Sequence, residues 1–188
     1  ADLYDDRKKS GYLPFRTKIV KTVDNVYTIS DNGYSYLSSL YAEQKDKIKL
    51  SYLGTKDYGI NNDTKDKKNI RIASCSYVVP VKRLNLIIDA LSILDIDNIE
   101  WIHLGGGNDL AAMKAYADRK LAGRIKYEFK GNMANGDIIE FYKKNYIDLF
   151  INFSESEGLP VSIMEAMSFG IPVIATDVGG TADAVIPG

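Results

Sequence analysis

The chain is poor in residues that staple or ligate. Its 188 residues hold one cysteine, Cys75, and one histidine, His103. A lone cysteine excludes an internal disulfide and suits a reducing compartment. A lone histidine excludes a multi-histidine metal site. Charge of either sign is not in excess: 24 Lys and Arg stand against 25 Asp and Glu, a formal net charge of −1. That balance gives no general attraction to nucleic acid or to an anionic lipid surface. No apolar run reaches the roughly 20 residues of a membrane-spanning helix, and no signal peptide is visible. An initiator Met is missing as well. The chain runs from Ala1 to "AVIPG" and reads as a piece excised from something longer. What is present is 45% hydrophobic and 26% charged, a globular mix. The length gives room for one domain and part of another.

From residue 70 on, strand-like and helix-like segments alternate. "IRIASCSYV" (70–78) is apolar and rich in β-branched residues, which predicts a buried strand. "LNLIIDALSIL" (84–94) has apolar residues at helical spacing. "IEWIHL" (99–104) is a strand closing on "GGGN". "DLAAMKAYADRKLAG" (109–123) is a helix stopped by Gly123. "RIKYEF" (124–129) is a strand, "KGNMANG" a turn, and "DIIEFYKKN" (137–145) a helix with Asp137 near its start. "DLFINFS" (148–154) is a strand. "VSIMEAMSF" (161–169) is a short helix with Pro160 in its first turn and Gly170 at its end. "IPVIATD" (171–177) is a strand, and "TADAVI" opens a further helix. Such alternation with short loops predicts α/β architecture, a doubly wound parallel sheet in three layers. Right-handed crossovers put the loops after each strand on one edge, where such folds take their ligands.

Residues 1–54 read differently. "DNVYTIS" (24–30) is strand-like, "NGYSYLSSLYAEQ" (32–44) helical and "DKIKLSYLG" (46–54) strand-like. "GINNDTKDKKN" (59–69) is polar and predicts a mobile loop or hairpin tip. The domain division expected is 1–54, the tail of a preceding domain with its linker, and 55–188, a ligand-binding domain truncated at its C-terminus.

The segment "ESEGLPVSIMEAMSFGIPVIATDVGG" (155–180) puts two glutamates, Glu157 and Glu165, around a helix start. Pro160 presets the first turn, and Gly158 lets a ligand approach the backbone. A helix N-terminus exposes unpaired N–H groups suited to phosphate. Carboxylates accept hydrogen bonds from hydroxyls. The arrangement therefore suits a ligand with a phosphate centre and a sugar at either end. The bland alternative leaves Glu157 on the helix dipole and Glu165 in solvent.

The wider string "SESEGLPVSIMEAMSFGIPVIATDVGG" resembles the donor-binding segment of retaining glycosyltransferases of the GT-B fold, in the large group called family four. "SCSYVVPVKRLNLIIDAL" (74–91) is similar to that group's first strand, loop and helix. "HLGGGND" resembles its glycine turn, "FKGNM" (129–133) its base-binding turn, and "NVYTISDNGYSYL" (25–37) the end of its N-terminal domain. The likeness runs from about residue 20 to the end. It implies a Rossmann-like half of a GT-B fold and transfer of a sugar from a UDP- or GDP-sugar type of donor, with no cofactor or metal. Two residues take catalytic roles by resemblance. Glu157 contacts the hydroxyls of the donor sugar, and Lys82 neutralises the diphosphate leaving group. Glu165 holds the ribose. Gly158, Leu159, Pro160 and Val161 line the transferred sugar and the diphosphate with main chain. Gly105 and Gly106 form the glycine turn, and Asn132 and Met133 pair the nucleobase edge. The acceptor, a sugar or lipid-linked sugar, belongs to the N-terminal domain. The implied setting is bacterial capsule, lipopolysaccharide or exopolysaccharide assembly in the cytoplasm, at the inner face of a membrane for the longer protein, with no nucleic-acid partner.

One position departs from the pattern. Tyr77 stands where many relatives carry an arginine, five positions before the lysine. Arg83 is either a substitute for that arginine or an exposed helix-start residue. Tyr77 thus keeps open a non-catalytic nucleotide-binding domain of the same fold. A glycoside hydrolase would also use two carboxylates, about 5 to 9.5 Å apart, but needs neither Lys82 nor a helix N-terminus between them. A dinucleotide oxidoreductase could claim Gly105, Gly107 and Glu128, yet Leu110 occupies its third glycine position. "DID" (95–97) reads as a solvated turn rather than a metal site. His103, Cys75 and Trp101 read as strand packing, and so do the tyrosines at 34, 36 and 41 on their helix.

Overall fold

The computed structural model describes residues 15–60 and 69–186. The contacts divide into two compact units. One takes the chain up to Gly54 with Glu157–Pro160 and the stretch from Gly179 on. The other takes Thr55–Ser156 and Val161–Val178.

The first unit opens with α1 (Arg16–Thr22), which the sequence reading did not anticipate, and continues with β1 (Val26–Thr28), α2 (Asp31–Leu40) and β2 (Ile48–Leu50). β1 and β2 pair in parallel, Val26 opposite Ile48. α2 starts because Ser30 is extended and its hydroxyl accepts from the Gly33 N–H at 3.1 Å, an N-cap that satisfies an orphan donor. The helix expected to run to residue 44 stops at Leu40. Tyr41 leaves helical geometry, and its ring joins Val20, Leu37 and Ile48 in a small core. Its hydroxyl is held by Arg16 Nε at 3.1 Å and Thr17 Oγ1 at 3.0 Å. A 3₁₀ turn, Ala42–Lys47, then carries the chain into β2. Tyr34 and Tyr36 pack against the same core, so the packing reading of the three tyrosines holds.

The second unit holds β3 (Ile70–Cys75), α3 (Leu84–Ser92), β4 (Ile99–Leu104), α4 (Leu110–Leu121), β5 (Lys126–Phe129), α5 (Asn135–Lys144), β6 (Leu149–Asn152), α6 (Val161–Ser168) and β7 (Val173–Ala175). The five strands form one parallel sheet in the order β5-β4-β3-β6-β7. This is the doubly wound α/β sheet that the alternation predicts. β4 is buried along its whole length, as expected of a central strand of a parallel sheet. Trp101 is fully buried among Ile72, Ile88 and Leu121. Glu100 is the charged residue on that strand. Burial would raise its carboxyl, but hydrogen bonds from Lys126 and Arg71, at 2.6 and 2.9 Å, hold it below its ordinary value.

α3 packs on α4, and both crossovers step from β3 toward β5. The chain then returns to the other side of β3 to add β6 and β7. The direction of winding thus reverses between β3 and β6, which makes the ends of those two strands the switch point of the sheet. Asp95 and Asp97 are exposed in the α3–β4 connection. The polar loop expected over 59–69 lies mostly outside the described residues. Just before it, Tyr58 stacks on Phe169 at 5.1 Å. The chain ends its described part with α7 (Thr181–Ala184), which belongs to the first unit.

Candidate functional site

The loop after β3 is fastened to the loop after β6 on both sides of Lys82. The Glu155 N–H donates to the Val81 carbonyl at 2.8 Å. Arg83 donates from Nε to the Phe153 carbonyl at 2.6 Å and from Nη2 to the Ser154 carbonyl at 2.9 Å. These bonds span the switch point and hold Lys82 at the C-terminal edge of the sheet. Arg83 is therefore not the exposed helix-start residue of one sequence reading: it is half-buried and bound to main chain. Its backbone is left-handed, φ 47° and ψ 44°, unusual for a residue with a side chain. Tyr77, in the same loop, is 58% exposed.

The glycine turn after β4 is shaped by its neighbours. A Cβ on Gly105 would stand 2.0 Å from the Ser76 carbonyl oxygen, one on Gly106 2.3 Å from Asn132 Oδ1, and one on Gly107 2.4 Å from the Val78 carbonyl oxygen. Main-chain bonds close the assembly: Val78 N–H to the Gly106 carbonyl at 2.8 Å, and Gly105 N–H to the Gly131 carbonyl at 3.0 Å. The glycines thus serve close approach between three loops of this chain. The space that a dinucleotide phosphate would need at Gly105 and Gly107 is filled, and Glu128 is an exposed partner of Lys130 at 2.7 Å. That removes the oxidoreductase reading. Gly105 and Gly106 position the turn that carries Asn132, which is exposed, and Met133, which is half-buried.

Glu165 is 7% exposed, so the solvated alternative for it is wrong. Its Oε1 accepts from Asn135 Nδ2 at 2.7 Å. The sequence reading passed over Asn135, because a bond spanning 30 residues leaves no local signature. Cys75, at the end of β3, senses the centre of this edge. Burial pushes its thiol up to about 12, the negative Glu165 adds to that, and Lys82 opposes it. The thiol is therefore protonated and packs rather than reacts. Burial also pushes the Tyr142 hydroxyl up, with Cys75 and Glu165 adding to it.

His103 has no exposed surface. Its Nε2 faces the Ser76 carbonyl at 3.2 Å and must donate, so Nδ1 accepts from the Ser74 hydroxyl at 2.9 Å. Ser74 Oγ in turn accepts from Trp101 Nε1 at 3.0 Å. Burial holds this imidazole down to about 4 against the pull of the Ser76 carbonyl. It is a neutral, satisfied core residue.

The second unit thus gathers Tyr77, Lys82, Arg83, the Gly105–Gly106 turn, Asn132, Met133, Val161 and Glu165 along one sheet edge. Glu157, Gly158, Leu159 and Pro160 belong to the first unit. Leu159 and Pro160 are buried there, while a Cβ on Gly158 would meet nothing within 4 Å. Gly179 and Gly180 pack against this segment. Side chains on them would stand 1.9 Å from the Glu157 carbonyl oxygen and 2.1 Å from that of Gly158, and the Gly180 N–H donates to Gly158 at 2.9 Å. A separate cavity of about 240 Å³ lies at the starts of α3 and α4, lined by Val78, Leu84 and Met113 among others. It contains none of the expected site residues.

Over 152 residues, 74% of its length, the chain is 27% identical to the amylovoran biosynthesis glycosyltransferase AmsK of Erwinia amylovora, and covers 36% of that protein. Over 50 residues, 27% of its length, it is 42% identical to the O-antigen biosynthesis glycosyltransferase WbnH of Escherichia coli, and covers 15% of it. The chain therefore spans well under half of these relatives. Among solved structures, Anabaena HepE in complex with UDP and glucose shares the fold, with a TM-score of 0.71 at 20% identity over 92% of this chain and 49% of that one. Residues 59–188 match the family described as Glycosyl transferases group 1, and the chain, with the parallel α/β half of a GT-B fold, belongs to that family.

Proposed function

We propose that this chain is the donor-binding part of a glycosyltransferase that moves a sugar from a nucleoside-diphosphate donor to an acceptor, with retention, in the assembly of a bacterial surface polysaccharide or glycolipid. The observation that carries this reading is the switch point. There the segment carrying Lys82 is tethered on both flanks to the loop after β6, on the edge where the buried Glu165 also lies. Breaking a sugar–phosphate bond develops negative charge on the diphosphate and positive charge on the sugar ring. A cation held in place before the reaction stabilises the first without reorganising. Lys82 takes that part, with Arg83 adding charge beside it. Glu165 accepts from the ribose hydroxyls, and the main chain at Asn132 and Met133 meets the base. Glu157 takes the sugar hydroxyls and the developing positive charge, with the backbone of 158–161 lining the sugar. No metal is needed in this scheme. The setting in polysaccharide assembly rests on the roles named for AmsK and WbnH, and a sugar or lipid-linked sugar acceptor fits the same setting.

Calorimetry with UDP, GDP, ADP and their nucleosides tests the donor site. Lys82→Ala should weaken the preferred diphosphate by about 1–3 kcal/mol, the worth of a charge-assisted hydrogen bond, and leave the nucleoside nearly untouched. Equal losses for both would make Lys82 structural. Tyr77, exposed where many relatives carry arginine, favours one second reading: a domain that binds nucleotide without catalysing transfer. Nucleotide binding with no transfer by the full-length protein, across a panel of donors and acceptors, would decide for it.

A further inference from the structure

Asn135 opens α5, three residues after Asn132, yet it does not cap its own helix. The N-cap position is Ala134, and no side chain caps the first turn. The Asn135 amide instead reaches Glu165 on α6, with Nδ2 at 2.7 Å from Oε1. The orientation of the amide follows from chemistry, because a carboxylate only accepts and so must face the NH2 group. Two consequences follow for Glu165. A buried carboxylate oxygen needs a hydrogen-bond partner, and the Asn135 amide supplies one to Oε1. The last torsion of a glutamate is also broad and two-fold, so an acceptor meant to meet a rigid pair of hydroxyls must have its plane fixed from elsewhere. Asn135 fixes one oxygen and so presents the other in a set direction.

We propose that Asn135 is the positioning residue that sets the Glu165 carboxylate for a vicinal diol. It thereby links the turn at Asn132 and Met133 to the group that reads the sugar of a nucleoside. This rests on the reading that Glu165 holds ribose. It adds that ribose selectivity depends on the first residue of α5, directly after the turn at Asn132 and Met133, so base and ribose are read by one connected unit. Asn135 itself is exposed, so its replacement spares the core.

The test measures binding of UDP, GDP and ADP against their 2′-deoxy counterparts by calorimetry. The proteins are the unaltered chain, Asn135→Ala, Asn135→Asp, Glu165→Gln and the double variant Asn135→Ala with Glu165→Gln. Asn135→Ala should lose about tenfold in affinity for the ribonucleotide, the scale of one charge-assisted bond, and far less for the deoxy form, so that the preference between the two collapses. Asn135→Asp keeps the shape but sets like charge against Glu165, and should lose more. Adding Asn135→Ala to Glu165→Gln should change little. Equal losses for ribo and deoxy ligands, or losses that multiply in the double variant, would overturn the positioning role. If Glu165→Gln itself leaves the ribose preference intact, or the unaltered chain binds none of the nucleotides, the ribose reading of Glu165 falls and takes this inference with it. If Glu165→Gln abolishes the preference and Asn135→Ala does not, only the role of Asn135 falls.

Discussion

At the scale of single residues, Arg83 combines a backbone cost with a side-chain gain. A left-handed conformation costs a residue with a Cβ about 1–2 kcal/mol, and the two bonds to Phe153 and Ser154 offset it. Arg83→Ala keeps the cost and loses both bonds. Arg83→Gly loses the bonds but sheds the cost. In urea unfolding the glycine variant should therefore be the more stable of the two by about 1 kcal/mol; equal midpoints would show that the backbone is not strained. His103 makes stability depend on pH. Its folded pKa is depressed to about 4, while the unfolded chain titrates near 6.5. The contribution is thus fully present above about pH 6.5 and is lost as pH falls toward 4, amounting to roughly 3 kcal/mol. His103→Gln should flatten that part of the stability curve between pH 7 and 4.5. An unchanged slope would mean that the imidazole gains a proton in place.

At the scale of elements, the glycine turn after β4 shows how loops set one another. Gly106→Ala puts a methyl 2.9 Å from the Asn132 backbone nitrogen as well as against its side chain. Main chain cannot swing aside as a side chain does. This variant should cost about 2 kcal/mol of stability, within the range of overpacking, and should weaken nucleotide binding through the displaced turn. Unchanged affinity would separate that turn from the donor. The strands were legible because "IRIASC" and "IEWIHL" are rich in apolar residues, β4 being buried throughout and β3 over Ile72–Ser74. Their ends were less so: β3 stops at Cys75, not at residue 78, because the Ser76 N–H still reaches the end of β4 at Leu104 while the Val78 N–H bonds the glycine turn at Gly106. Pattern missed α1, since its seven residues have one buried position, Val20. Pattern also overran α2, since nothing local says that the Tyr41 ring will be pulled into a core. Residue type was enough to single out Lys82 and the two glutamates as candidates, and the structure sets Lys82 and Glu165 on one sheet edge of the second unit. The site was not legible where geometry decides. The left-handed backbone of Arg83 normally calls for glycine, and Asn135 looks like any polar helix start.

At the scale of the molecule, the matched relatives are far longer than this chain, AmsK by a factor that leaves 36% of it covered. Holding two reactants in place supplies up to about 7–11 kcal/mol of a barrier. If the acceptor is held by the parts of such relatives beyond this match, the chain alone should bind nucleotide and transfer almost no sugar. Turnover at the rate of the longer protein would put the acceptor site within these residues. The first unit is also assembled from distant parts of the chain. The Asp31 N–H, at the start of α2, donates to Asp183 in α7 at 3.0 Å, across 152 positions, and the pair Gly179–Gly180 closes on Glu157 and Gly158. On a ribosome adding about 5–20 residues per second, Asp183 emerges roughly 8 to 30 s after Asp31. α2 has its packing partners Val20, Tyr41 and Ile48 within the early stretch, so what waits is the closing contact with α7. The whole parallel sheet of the second unit is synthesised within that wait. The closure of this unit by residues 179–183 therefore comes only after the parallel sheet has been made, and until then the Asp31 N–H and the Glu157–Gly158 backbone stand open to other partners.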